Sequence, residues 1–142
     1  LRYLRLVWAN LQSPVYNRKN YLLGGVLGGD HNMDISTQEV KRVSVMTVKG
    51  RVDSATAPDL ENALKQLVET EKTQIVLDLK DVEYMSSAGL RAMVSTLKAV
   101  KRINGDLRLC SPSPRVAEVL RLAGLTSIFN IYPNQSDAVG SF

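Results

Sequence analysis

One cysteine, one histidine and one tryptophan are all that the 142 residues contain of these three types. A single cysteine cannot close an internal disulfide, and a single histidine cannot anchor a metal cluster. No apolar run approaches the roughly 20 residues that a membrane-spanning helix requires, so no membrane insertion is expected. Aromatic residues are scarce at 6%, and no basic cluster is interleaved with them, which argues against a nucleic-acid footprint. The glycines at 24, 25, 28 and 29 are followed by no Gly-Lys-Ser/Thr and framed by no strand or helix, so they are not a phosphate-cradling loop. Nor is a nucleophile–base pair visible. The expectation is an intracellular, cytoplasmic chain without metal or cofactor, and not an enzyme. What is present, 44% hydrophobic and 23% charged residues, describes a globular protein with one core.

The net charge of +4 is unevenly distributed. Arg2, Arg5, Arg18 and Lys19 stand against Asp30 in residues 1–32, which therefore hold three of the four positive charges. The high isoelectric point belongs to that leader, and the remainder is nearly neutral. LRYLRLVWANLQ has some amphipathic character, but NRKNYLLGGVLGGDHN follows neither a helical nor a strand period. Arg2, Arg5 and Asn10 interrupt the only stretch that could serve as a secretory signal. Residues 1–32 are expected to lie outside the domain, as a disordered basic tail or as translated upstream sequence. The second reading is preferred, because Gly28-Gly29-Asp30 can be encoded by a ribosome-binding sequence just before Met33. Codons for Gly28 and Gly29 other than GGA-GGN would remove it. His31 receives no role.

From Val40 onward the pattern is regular. VKRVSVMTVKGRV alternates as a strand pair or one bent strand, with Gly50 as a turn or bulge. Asp53 to Pro58 supplies polar caps and a proline ahead of a helix whose apolar face is Leu60, Ala63, Leu64, Leu67 and Val68. A buried strand is expected over Gln74–Asp78, ending where Asp78, Lys80, Asp81 and Glu83 break the apolar run. Leu90, Met93, Val94 and Leu97 then mark a helix that runs to about Ile103 and stops at Asn104-Gly105. Asp106–Cys110 reads as a strand, and Pro114 to about Ala123 as a helix with Gly124 beyond its end. A last strand is expected within Leu125–Tyr132, and a helical turn after Ser136. The order β-β-α-β-α-β-α-β calls for an α/β fold, a mixed, largely parallel β-sheet with helices packed on it.

Ser86-Ser87-Ala88-Gly89 therefore lies where a strand hands over to a helix. A serine hydroxyl there caps an orphan N–H, and the positive end of the helix dipole tolerates an anion. In this setting VEYMSSAGLR resembles the phosphoacceptor loop of the STAS domain family, in the branch of anti-sigma factor antagonists (anti-anti-sigma factors). That family places an acidic and an aromatic residue before Asp-Ser-Ser-Gly-Leu-Gly. Ser86 takes the Asp position, Ser87 the phosphorylated serine, and Ala88 the second serine. Gly89 and Leu90 match, and Arg91 replaces the last glycine. The resemblance runs from about Val40 to the C-terminus, and the domain is expected over residues 33–142.

The resemblance implies phosphorylation at Ser87, with Ser86 as the alternative acceptor. It also implies a partner-binding surface made of Asp53, Thr56, Ser86, Ser87, Ala88, Gly89, Leu90 and Arg91. The bland readings are an N-cap for Ser87, a helix cap for Asp53 and Thr56, a first-turn glycine for Gly89 and core or interface for Leu90. Asp78 and Asp81 are read as solvated strand-end residues, because no third ligand or base completes a site. Arg91, Ser95, Lys98 and Arg102 are read as a solvated helix face, with Arg91 close enough to meet a phosphate or a partner carboxylate. Cys110 is read as core.

The implied function is that of an anti-sigma factor antagonist. Unmodified, such a protein binds an anti-sigma factor that is also an ATP-dependent serine kinase, and so releases a sigma factor. Phosphorylation by that kinase ends the interaction and a serine phosphatase restores it. The alternative from the same resemblance is a non-catalytic STAS subunit of a lipid-transport or stress-sensing scaffold complex.

Overall fold

A computed structural model describes residues 33–142, so residues 1–32, with His31 and the expectation of a leader there, lie outside the described residues. Among the described residues, five strands form one sheet in the order β1-β2-β3-β4-β5. They are β1 Met33–Val40, β2 Val43–Val52, β3 Gln74–Met85, β4 Asp106–Cys110 and β5 Ile131–Tyr132. Only β1 and β2 run antiparallel; every other pairing is parallel. The crossovers between parallel strands carry α1 Ala57–Glu69, α2 Ser87–Arg102 and α3 Pro114–Leu122, and α4 Gln135–Gly140 follows β5. This is the mixed, largely parallel α/β arrangement that the hydrophobic periods predict.

The strand periods explain the layers. Met46, Val48, Ile75, Leu77, Leu107 and Leu109 point to one face of the sheet and bury against Leu60 and Leu64 of α1, Met93, Leu97 and Val100 of α2, and Val116 and Leu120 of α3. Their in-strand neighbours Val43, Val45, Val76 and Cys110 point to the other face, where Ala138 and Val139 of α4 cover them. Successive side chains on a strand alternate faces, so a strand covered on both sides reads as a continuous apolar run. Arg108 pins the C-terminus over this second layer. Its guanidinium donates to the Ser141 hydroxyl at 2.7 Å and lies 4.0 Å from the Phe142 ring centroid.

Three boundaries differ from the sequence expectation. β1 begins at Met33, well before Val40, and turns through Lys41 and Arg42, both with left-handed backbone (φ 51° and 71°). β3 does not stop at Asp78 but continues to Met85, pairing with β2 alone beyond β4's end. Register shifts between Thr47 and Lys49 and between Gly50 and Arg51 let Leu79, Val82 and Met85 all reach the core while Lys80, Asp81 and Glu83 stay in solvent. Gly50, at φ 99°, stands on β2 at the second of these shifts, where β3 carries the extra residue, and a side chain at that backbone conformation would be strained. Within Leu125–Tyr132 the first part is a 3₁₀ turn, Leu125–Ser127, and only Ile131–Tyr132 pairs with β4.

Candidate functional site

The long β2–β3 ribbon ends where α2 begins, and one hydrogen bond fastens the two. After the final register pair, Val52 with Met85, the backbone N–H of Ser86 donates to the Val52 carbonyl at 2.8 Å. Ser86 is still extended (φ −83°, ψ 169°) and is the N-cap of α2, its hydroxyl accepting from the Gly89 N–H at 3.3 Å. Ser87 is the first helical residue and is exposed. The two serines thus have separate positions: Ser86 occupies the cap, and Ser87 stands outside it.

Behind the serines the packing is tight. Gly89 is buried, and a β-carbon built there would overlap the Met85 sulfur and stand 2.6 Å from Val52 Cγ1. The first turn of α2 presses directly on the ribbon's end at Gly89. Ala88 and Leu90 are half-buried and Arg91 is exposed. Leu90 packs one side against the core and shows the other to solvent. Arg51 and Tyr84, paired across the ribbon, stack with the guanidinium 4.6 Å from the ring centroid. Arg51 was not among the expected site residues; its alternation with Val52 in β2 carries no mark of the stacking.

The turn from β2 into α1 lies beside this junction, because Asp53 follows Val52 directly. The Asp53 carboxylate accepts from the N–H groups of Thr56 and Ala55, each at 3.0 Å. The Thr56 N–H bond, against an opposing effect of burial and with the help of the Thr56 hydroxyl, the Ala55 N–H and the Arg51 charge, holds the carboxyl below its ordinary value. Thr56 is buried; its hydroxyl donates to the Arg51 carbonyl and accepts from the Asp53 N–H, both at 2.9 Å. Of the expected partner-contact residues, the structure therefore presents Asp53, Ser86, Ser87, Ala88, Leu90 and Arg91 at least in part to solvent. Thr56 and Gly89 are enclosed and support the surface from beneath, since their side-chain positions are filled by neighbouring groups.

Residues 34–138 match the family model of the STAS domain. The chain belongs to the STAS domain family. A Bordetella bronchiseptica protein, BtrV, that bears the name of an anti-sigma factor antagonist is 33% identical over 110 residues, covering 78% of this chain and 95% of that one. An anti-sigma F factor antagonist of Paenibacillus polymyxa is 26% identical over 109 residues, 76% of this chain and 93% of its own. The crystal structure of an anti-sigma factor antagonist from Mycobacterium paratuberculosis superposes with a TM-score of 0.72 at 29% identity, covering 77% of this chain and 92% of that one. The serine junction lies inside each matched span of the STAS fold.

Elsewhere the STAS domain offers less. Among the described residues no group of three His, Cys, Asp or Glu side chains could hold a metal ion, and no helix is long and apolar enough to cross a membrane. Asp78, expected to be solvated, is buried and accepts from the Lys80 N–H at 3.0 Å. It is enclosed because β3 continues past it, with β2 and β4 paired on both sides. An open groove of about 740 Å³ is lined in part by Lys49, Lys80 and Arg115 facing Asp34, Asp81 and Glu83. Its charges balance, and it contains no expected site residue.

Proposed function

We propose that the protein is an anti-sigma factor antagonist acting in the cytoplasm, and that Ser87 is its switch. Unmodified, it binds an anti-sigma factor with serine kinase activity, and so releases a sigma factor. The kinase phosphorylates Ser87 with its own ATP, and a serine phosphatase reverses the modification. The chain contributes a docking surface and no catalytic group.

The observation that carries this reading is the exposure of Ser87 at the start of α2 while Ser86 alone caps the helix. A phosphate adds roughly −1.5 to −2 charges and three acceptor oxygens. At a helix start the dipole favours that anion, so α2 stays intact. The docking surface changes instead: a partner packed on Ser87 and the half-exposed Leu90 must desolvate a dianion. Affinity falls without unfolding.

The test compares binding of the cognate anti-sigma factor to wild type, Ser87→Ala, Ser87→Asp and Ser86→Ala, with mass spectrometry after incubation with ATP. Phosphate at Ser87, and a loss of about tenfold or more (~1.4 kcal/mol) for Ser87→Asp alone, is the expected result. Equal binding by all variants would make the protein a constitutive scaffold. Phosphate at Ser86 would move the switch by one residue.

A further inference from the structure

The outer face of α2 carries charge of one sign. The helix has four basic residues, Arg91, Lys98, Lys101 and Arg102, and no acidic one. Lys101 is occupied with Asp106 at 3.3 Å. Arg91, Lys98 and Arg102 are exposed and make no ion pair among the described residues. At 3.6 residues per turn, positions 87, 91, 98 and 102 fall within ~60° of arc and extend over ~22 Å. Ser87 is thus the first residue of a straight, uncompensated basic ridge.

We infer that this ridge, Arg91–Lys98–Arg102, is the second half of the docking surface and fits an acidic face of the anti-sigma factor. The inference rests on the proposed function, and adds the partner's chemistry to it. Exposed charges give little affinity singly, but a ridge of one sign steers a complementary partner and fixes its register. The ridge is continuous with Ser87, so a partner seated there extends naturally along the helix. A phosphate on Ser87 then opposes the same acidic face that the three cations attract, and Arg91, one turn away, is drawn to the phosphate. The switch changes the sign at one end of the ridge.

A nucleic acid fits less well. α1 packs beside α2 and carries Asp59, Glu61 and Glu69 against a single Lys65. A polyanion laid along α2 would run beside those carboxylates, whereas a folded protein can set its acidic face against α2 alone and keep other groups opposite α1.

The test measures association of the anti-sigma factor with wild type, Lys98→Glu/Arg102→Glu, Lys98→Gln and Lys41→Glu over a range of salt. Both sites of the double variant are exposed and distant from the serine junction, and circular dichroism checks that it folds. The double variant should associate about tenfold more slowly at low salt, with a shallower salt dependence. Lys98→Gln should show a smaller loss of the same kind. Lys41→Glu, in the turn at the sheet's β1 edge, should associate as wild type does and so separates the ridge from net charge. Wild-type association rate and salt slope in the double variant would overturn the inference while leaving the antagonist reading intact. Binding of a labelled DNA duplex at physiological salt, abolished in the double variant while anti-sigma factor association is unchanged, would also overturn it. If no anti-sigma factor binds wild type, the inference falls together with the reading beneath it.

Discussion

The Ser86 N–H and the Val52 carbonyl meet at 2.8 Å, so the first residue after β3 is tied to the last residue of β2. Through this bond the two loops of the proposed docking surface, one from Asp53 and one from Ser86, share a single anchor. The hydroxyl of Ser86 is spent on the Gly89 N–H, which leaves Ser87 as the side chain with freedom to change. Capping thereby falls to Ser86, and the proposed regulation to its neighbour Ser87.

That division predicts unequal costs. Ser86→Ala removes a cap and should lower unfolding free energy by about 1 kcal/mol, with Ser86→Gly losing only a few tenths. Ser87→Ala, at an exposed first-turn position, should stay within about 0.5 kcal/mol of wild type. Urea denaturation of the three variants decides it. Equal losses at the two serines would mean that both hydroxyls support the helix, and would remove the reason for separating cap from switch.

Gly89→Ala sets two effects against each other. Helix propensity alone would favour alanine by about 1 kcal/mol. The added methyl, however, overlaps the Met85 sulfur and comes within 2.6 Å of Val52 Cγ1. Methionine can swing aside, but a β-branched valine at a strand end has little rotamer freedom. Overpacking of this kind costs about 1–3 kcal/mol, so the net outcome is destabilisation. A thermal melt should show the midpoint falling by several degrees. A rise would mean that α2 is not pressed on the ribbon.

These relations were legible in the sequence to different depths. The helices could be read because Leu60–Leu64, Met93–Leu97 and Val116–Leu120 keep a helical period that nothing interrupts. The start of α2 could be read because the helical apolar face Leu90, Met93, Val94 and Leu97 opens directly after Ser86 and Ser87. The extent of β3 could not, since two bulges in its pairing with β2 replace the period of two by the spacing Leu79, Val82, Met85. The β1–β2 turn was equally hidden: Lys41 and Arg42 adopt the left-handed conformation usually marked by Asn or Gly. At the site, the enclosure of Thr56 and Gly89 depends on how two loops and a helix start meet, which no local spacing encodes.

Asp53 gives the turn beside the serines a defined response to acid. Its carboxyl is held below the ordinary 3.8 chiefly by the Thr56 N–H. A folded-state pKa below the unfolded one contributes stability that is fully present above the unfolded value and disappears as pH falls through the folded value. Asp53→Asn keeps an acceptor oxygen but cannot titrate. The difference in melting temperature between wild type and Asp53→Asn should therefore be constant above about pH 5 and shrink as pH falls below 3.8. A difference that stays constant down to pH 2.5 would show that the carboxylate's charge contributes nothing to the turn.

Cys110 responds at the opposite end of the scale. It is fully enclosed on the sheet face beneath α4, in register with Asp78 on β3. Burial, reinforced by the Asp78 charge, pushes its thiol from 9.0 up to about 11. An acid whose folded pKa is raised contributes stability that is intact below the unfolded value, and this is lost as pH rises from about 9 through 11. The thiolate is the reactive form, so at pH 8 the raised pKa and the enclosure both make native Cys110 less reactive than an ordinary thiol. Iodoacetamide labelling followed by mass spectrometry should find Cys110 unmodified in the native protein at pH 8 and fully modified in urea. With Asp78→Asn the thiol pKa should fall, and labelling should quicken modestly while remaining far below the unfolded rate, because burial persists. Native labelling at the unfolded rate would mean that α4 does not stay closed over β4, and that the second layer of the core opens in solution.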